Sequence, residues 1–269
     1  MAEPEKMIEK FVRDGMAKST MRGSIIIVSS LLAHMTNVEL IKLFGADCHK
    51  IRMEYQDLMK MGEEEAEEHR QEMSETEIKN WASLAEIRDA VNLLAKSVKN
   101  VYDFQRVVWY KMELAQTVRN EYHTLKVRNF NVDTDNYIER NGNSTGSFFK
   151  IVLNDFKTEG SLSRQEIIMS DPELVSTIDS LYQHRLKRGI DYLFVKQNGK
   201  KFENQKFATF VIDGLTGYLG GRRIGSQMLR KIVVTEFRHG EKTIKENKEF
   251  SQKMLHSAYM SERYRRIRM

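Results

Sequence analysis

The sequence predicts a mainly α-helical protein (α+β) that contains one small three-stranded antiparallel sheet. Only two prolines occur among 269 residues, and apolar residues recur mostly at the spacings of three and four that form one face of a helix. One central interval differs, because it contains short segments rich in Val, Ile and Phe that are separated by turn signals. The predicted strand segments are Val127–Glu139, Ser147–Phe156 and Gln165–Met169. The turn signals between them are Asn141-Gly142 and Glu159-Gly160.

Residues 1–75 are predicted to form a small helical module. Its helices are expected at Met16–Met35, Val38–Phe44 and Cys48–Gly62. The apolar run Ser24–Ala33 follows an acidic, polar segment and is too short to span a bilayer, so we interpret it as the buried face of a helix and expect no membrane segment. The acidic run Glu63–Glu68, which extends to Glu77, is either an exposed helix or a linker. We place the domain boundary there, with a second domain at residues 76–269.

The second domain is predicted to begin with two helices. Apolar residues between Leu84 and Val101 form one helical stripe, and Ser83 with Glu86 has the pattern of a capping box. The next helix is expected around Phe104–Val118.

Helices are also predicted after the sheet. Pro172 follows Asp171 and therefore fits the first position of a helix that runs to about Arg188. Tyr192–Val195 is predicted to be a short buried strand, and Asn204–Leu219 a helix that ends at the Gly-Gly pair 220–221. Two further helices complete the chain.

Positive charge is concentrated in residues 221–269. This segment carries thirteen Lys and Arg against five Asp and Glu, a net charge of +8, whereas the whole chain is +5 and residues 1–220 are −3. Such a segment is typical of contact with nucleic acid. A solvated basic helix is the alternative interpretation.

Composition and motifs argue against several other classes. Cys48 is the single cysteine, so an intrachain disulfide is impossible, which suits a reducing compartment. The sequence has no Cys/His cluster with zinc spacing, no P-loop, and no strand–turn–helix context for dinucleotide binding at its Gly-Gly pair. We therefore expect no metal and no cofactor.

Three candidate catalytic residues lie in the basic segment. Arg230 lies within an apolar helical stretch, His256 precedes Ser257, and Tyr264 is surrounded by arginines. Two arginines can each hold a phosphate with bidentate hydrogen bonds that lysine does not reproduce. A tyrosine near such a clamp can attack a phosphodiester, which is the chemistry of DNA strand transfer.

Five motifs in order resemble the tyrosine recombinase (phage-integrase-type) family. The chain is similar above all to its divergent eukaryotic branch, found in large DNA viruses, their mobile elements and crypton-like transposons. The resemblance covers most of Trp81–Met269. The five motifs are RNEYHTLK with Arg119, NDFKTEG with Lys157, MLRKI with Arg230, LHS with His256, and the nucleophile position Tyr264. Asn136-Tyr137-Ile138 is similar to the family's first strand.

The resemblance implies a catalytic role for each matched residue. Arg119 and Arg230 would hold the phosphate, Lys157 would protonate the leaving 5′-oxygen, and His256 would bond a phosphate oxygen or the tyrosine. Gln227 occupies the position where the family commonly has a histidine, and it is a weaker proton-transfer group. Leu255 also departs from the glycine that often precedes the late histidine.

The resemblance also implies an activity and its partners. It implies a site-specific recombinase or integrase that forms a 3′-phosphotyrosyl intermediate without metal or ATP, with residues 1–75 as a DNA-clamping, core-binding-like module. The partners would be double-stranded DNA and further copies of the chain, in a tetramer on paired sites. Five residues follow Tyr264, so we expect a monomer without DNA. The location would be intracellular and DNA-associated, in a host nucleus or at a viral replication site.

Two other classes stay open at this point. The substitution at Gln227 is compatible with a catalytically decayed recombinase fold that only binds DNA. Taken singly, Arg119, Lys157 and His256 also fit a surface arginine, a turn lysine and a structural helix-end histidine, as in a basic helical adaptor or RNA-binding protein.

Overall fold

The computed structural model describes residues 4–68, 71–118, 120–143, 146–156, 164–238, 242–254 and 264–266. The described chain is mainly helical with one small three-stranded antiparallel sheet, so the predicted fold class is confirmed. The chain divides into two compact units, Met1–Arg70 and Gln71–Met269.

The regular elements in the described part of the first unit are all helices. Its helices are α1 (Pro4–Arg13), α2 (Lys18–His34), α3 (Asn37–Phe44) and α4 (Cys48–Glu68). Its buried core consists of Leu32, Leu40, Ile51 and Tyr55. Helix α1 was not predicted from the sequence. The predicted end of α4 at Gly62 is too early, because the backbone of the acidic run Glu63–Glu68 continues this helix.

Only part of the apolar run in α2 is buried. Leu32 belongs to the core, whereas Ile27 and Leu31 are each 62% exposed. The run is apolar on several sides of the helix, so a single core can cover only one of them. The expectation that the run is simply a buried face is therefore wrong for these two residues.

The second unit contains seven helices and the sheet among its described residues. The helices are α5 (Glu75–Asn80), α6 (Leu84–Ser97), α7 (Val101–Ala115), α8 (Pro172–Lys187), α9 (Asn204–Thr216), α10 (Ser226–Phe237) and α11 (Ile244–Lys253). The strands are β1 (Tyr137–Asn143), β2 (Gly146–Leu153) and β3 (Gln165–Met169), in the order β1-β2-β3.

The register of the sheet corrects one predicted turn. Asn141 pairs with Phe148 and Gly142 pairs with Ser147, so the Asn-Gly pair lies inside β1. The first strand also begins at Tyr137, ten residues later than predicted from Val127. The predicted turn Glu159-Gly160 lies outside the described residues.

The apolar stripe from Leu84 to Val101 belongs to two helices. Helix α6 ends at Ser97 because Val98 adopts an extended conformation. Asn100 then caps α7, since its side chain accepts a hydrogen bond from the amide of Asp103 at 2.8 Å. The predicted capping box of Ser83 and Glu86 is confirmed, as is Asp171 at the N-cap before Pro172.

Tyr192–Val195 is buried over most of its length but is not a strand. The Gln105 side chain replaces a strand partner, because its oxygen accepts from the Val195 amide at 2.7 Å and its amide donates to the Val195 carbonyl at 3.0 Å. Arg185 donates to the Leu193 carbonyl at 2.9 Å, and burial lowers the pKa of this arginine to about 10. Two side chains therefore supplement the isolated backbone bridges Lys126–Tyr192 and Val195–Lys201, which the segment forms instead of a ladder.

Tyr110 connects the central helix α7 to the segment that starts α10. Its buried hydroxyl lies 2.9 Å from the Val211 carbonyl and 2.8 Å from the Ile224 carbonyl. Gly220 and Gly221 reach positive φ values of 62° and 89° just after α9, which glycine adopts without steric cost. The predicted Gly-Gly break is confirmed, and it redirects the chain toward α10.

Candidate active site

Helix α10 presents three neighbouring polar residues. Arg230 follows Ser226 by four residues and Gln227 by three, so its side chain is a helical neighbour of both. Gln227 is exposed, whereas Arg230 is only 3% exposed. The sequence predicted Arg230 within an apolar helical stretch, and α10 has that character.

Tyr264 lies against Arg230 of the same chain. The guanidinium carbon of Arg230 is 5.4 Å from the centroid of the Tyr264 ring. Two residues further on, the amide of Arg266 donates to the Thr235 hydroxyl at 2.9 Å. The described segment 264–266 therefore runs alongside α10, parallel to it.

Gln227, Arg230 and Tyr264 line one open cleft of about 480 Å³. The other residues that line it are Glu121, His123, Thr124, Asp155, Phe156, Asn204 and Ser226. The cleft thus brings together three of the six predicted site residues. The other three, Arg119, Lys157 and His256, lie outside the described residues.

Asn136 joins two segments that border this cleft. Its side-chain oxygen accepts from the amides of Asn154 at 2.8 Å and Asp155 at 2.9 Å. Its side-chain amide donates to the Thr124 hydroxyl at 2.8 Å and to the Asp155 carbonyl at 2.6 Å. The side chain therefore makes four hydrogen bonds while it is only 4% exposed. In sequence, Thr124 lies five residues after Arg119, and Asp155 lies two residues before Lys157.

A buried carboxyl group lies close to Arg230. Glu113, near the end of α7, is fully buried. Burial raises the pKa of Glu113 well above its ordinary value, and the positive charge of Arg230 opposes this shift while the negative charge of Glu121 adds to it. Arg230 therefore lies near the buried carboxyl group of Glu113 and also lines the open cleft.

Sequence reasoning missed three polar groups of the cleft. His123 lines it and stacks on Phe207, with 5.7 Å between the ring centroids. Glu121 and Asp155 place two carboxyl groups in the same cleft. Glu121 and His123 belong to the RNEYHTLK motif, and Asp155 immediately precedes the FKTEG part of its motif. Their position inside two quoted motifs was the available signal.

Neither a metal site nor a membrane-crossing helix occurs in the described part of the chain. No group of three or more His, Cys, Asp or Glu side chains is placed to hold a metal ion there. None of the helices described combines the length and the apolar character that a membrane crossing requires.

Comparisons with known proteins show a similarity to solved structures. No family model matches the sequence, and no curated protein matches it. Among solved structures, the chain is similar to the crystal structure of XerA recombinase, with a TM-score of 0.48 and 14% sequence identity. The alignment covers 98% of this chain and 93% of that chain. A functional assignment therefore depends on the chemistry of the cleft.

Proposed function

We propose that this protein is a site-specific DNA recombinase or integrase that cleaves and rejoins DNA through a 3′-phosphotyrosyl intermediate. The observation that carries the proposal is the convergence of Arg230 and Tyr264, 34 positions apart in sequence, in one open cleft with Gln227. A guanidinium beside a tyrosine places a phosphate-binding donor next to a nucleophile. The order of the five motif residues along the chain supports the same proposal.

The proposed reaction is a transfer of the phosphoryl group. The Tyr264 oxygen attacks phosphorus, the bond from phosphorus to the 5′-oxygen breaks, and the tyrosine proton leaves to a base. Arg230, together with Arg119, binds the non-bridging oxygens, where negative charge grows in the transition state. Lys157 donates a proton to the departing 5′-oxygen, and His256 bonds a phosphate oxygen or the tyrosine. The new phosphotyrosyl bond replaces the broken ester, so this scheme uses neither ATP nor a metal ion.

The proposal extends to partners and place. Residues 1–75 would serve as a DNA-clamping module and residues 76–269 as the catalytic domain, with both contacting double-stranded DNA. Copies of the chain would assemble into a tetramer on paired sites, in the host nucleus or at a viral replication site. A viral or crypton-like mobile element fits the sequence motifs best.

The polar residues of the cleft also support an alternative function, a recombinase fold that has lost catalysis. Gln227 replaces a group that transfers protons well, and Glu121 and Asp155 bring carboxyl groups into the cleft, where a negative charge opposes phosphate binding. These features favour a decayed recombinase fold that binds DNA without cutting it.

A suicide substrate separates these functions. The full chain is incubated with duplex DNA that is nicked beside the cleavage site, so that a short fragment diffuses away after attack and traps the enzyme. A recombinase gives a denaturant-resistant protein–DNA adduct, whereas a decayed fold binds the duplex and gives none. A protein that prefers RNA and forms no adduct would exclude both.

A further inference from the structure

The carboxylate of Glu77 forms ion pairs with two cationic side chains from distant parts of the chain. Glu77 lies in α5 and is only 8% exposed. Lys231 of α10 donates to its Oε1 atom, and the Nε atom of Arg266 lies 3.2 Å and 3.3 Å from its two oxygens. These cations are 154 and 189 residues away in sequence.

Both cations are neighbours of residues in the candidate active site. Lys231 directly follows Arg230, and Arg266 lies two residues after Tyr264. Arg266 is held at a second point, because its backbone amide donates to the Thr235 hydroxyl at 2.9 Å. Glu77 therefore connects the helix that carries the arginine to the segment that carries the tyrosine.

The positive charges of Lys231 and Arg266 are compensated by the negative charge of Glu77. The side chains of Lys231, Glu77 and Arg266 are 16%, 10% and 9% exposed, so solvent screens them poorly. Without the carboxylate, two partly buried positive charges would face each other. Removing one member of a buried ionic cluster leaves the others uncompensated and is strongly unfavourable. Release of Arg266 into solvent would relieve that repulsion.

We propose that Glu77 is a positioning residue that holds Tyr264 against Arg230 by anchoring Arg266 to α10. Its role as a positioning residue rests on the proposed recombinase function, whereas the anchoring itself can be measured without DNA. Loss of the anchor frees the tyrosine segment while the arginine clamp of α10 stays in place.

The local structure offers a variant that removes the charge alone. Glu77 also forms a capping box with Ser74, whose amide donates to the Oε2 atom of Glu77 at 2.9 Å. Glutamine is accepted at this position of a capping box, so Glu77→Gln keeps the cap and removes the counter-charge. Glu75→Gln is the matched control, because Glu75 is an exposed carboxylate in the first turn of the same helix.

The first experiment measures the anchor without DNA. Brief chymotrypsin digestion followed by intact-mass measurement gives the rate of cleavage after Tyr264. We expect Glu77→Gln and Arg266→Ala to raise this rate at least about tenfold, the equivalent of ~1.4 kcal/mol, while Glu75→Gln matches the wild type. Equal cleavage rates in Glu77→Gln and the wild type would overturn the anchoring.

The second experiment measures the consequence for catalysis. On the nicked substrate, Glu77→Gln should lower the rate of adduct formation at least about tenfold, while its DNA affinity stays within about twofold of the wild type, again on the scale of 1.4 kcal/mol per factor of ten. Arg266→Lys keeps the positive charge and should retain more activity than Arg266→Ala. Faster proteolysis with an unchanged rate of adduct formation would refute the positioning role.

If the wild type itself forms no adduct, the proposed function and this positioning role both fail. The proteolysis result still decides whether Glu77 anchors Arg266.

Discussion

The guanidinium of Arg230 faces the ring of Tyr264, with 5.4 Å between the guanidinium carbon and the ring centroid. This distance falls within the range of a cation–π attraction, which contributes about 0.5–2 kcal/mol according to its exposure to solvent. The contact keeps a potential nucleophile next to a potential phosphate clamp. It also makes the two residues separable by mutation, because phenylalanine preserves the ring.

Tyr264→Phe should abolish the covalent DNA adduct and leave DNA affinity nearly intact. The ring contact with Arg230 survives, and only the attacking hydroxyl is lost. Adduct formation is measured on denaturing gels, and affinity by fluorescence anisotropy. Tyr259→Phe is the control and should form the adduct normally. A nucleotide attached to Tyr259, found by mass spectrometry of the trapped complex, would show that we chose the wrong tyrosine.

Arg230→Lys should slow adduct formation by a factor of roughly 10²–10³, or ~2.7–4 kcal/mol, as when one preorganised donor is removed elsewhere. Lysine keeps the charge next to Glu113 but cannot reproduce the bidentate fork. Single-turnover rates on the nicked substrate measure the effect. Arg223→Lys is a suitable control, because Arg223 is exposed and pairs with Asp213 outside the cleft. Equal losses in both variants would indicate a nonspecific effect of charge placement.

DNA affinity should fall steeply as salt rises. Lys and Arg side chains that neutralise phosphates release counterions, and six to ten such contacts cost roughly 10³–10⁵ in affinity between 50 and 200 mM salt. The basic segment 221–269 has enough positive charge for contacts on this scale. Anisotropy titrations at four salt concentrations give the slope. A slope near zero would exclude phosphate contacts as the main source of affinity.

Gln105→Ala should destabilise the second unit by about 2–3 kcal/mol, since an unsatisfied buried donor or acceptor costs about 1–3 kcal/mol. The substitution leaves both backbone groups of Val195 without their side-chain partner. Urea denaturation gives the free energy of unfolding. Gln183→Ala removes a half-buried glutamine that bonds only within α8, and it should change stability by less than about 0.5 kcal/mol.

Glu86→Gln should reduce stability slightly at neutral pH and much less at pH 2. Hydrogen bonds from Arg222 and Ser83 lower the pKa of Glu86 from 4.5 to about 2. A depressed folded-state pKa stabilises the fold above pH 4.5, and this contribution is lost as the pH falls through about 2. Because the Glu86 side chain is 48% exposed, we expect at most about 1 kcal/mol. Glutamine preserves the capping box, so Tm differences between pH 6 and pH 2 report the charge. A difference at pH 2 as large as that at pH 6 would contradict this assignment.

Local signals predicted the parts of the fold that local chemistry determines. Asp171 before Pro172 and Ser83 with Glu86 mark helix starts within four residues, and both are observed. The division between α6 and α7 was missed because the apolar spacing continues through it, while the cap at Asn100 decides it.

Long-range contacts decided what the sequence could not indicate. Tyr192–Val195 has the composition of a strand, but its hydrogen-bond partner Gln105 comes from 90 residues earlier. In the same way, Glu77 looked like the end of an acidic run, and its cations are supplied only by the folded chain. Arg230 and Tyr264 were predicted because each occupies a matched position of its motif, whereas His123 lies inside a motif at a position without an assigned role.

The four hydrogen bonds of Asn136 make two borders of the cleft thermodynamically interdependent. Its amide binds Thr124 on one side and the backbone of Asn154 and Asp155 on the other. Substitutions at Thr124 and at Asn136 should therefore be non-additive in a double-mutant cycle, as is usual for members of one hydrogen-bond network. A substitution on one border of the cleft would then alter the stability of the other border. We therefore expect the residues of both borders to change together when the cleft adapts to a new substrate.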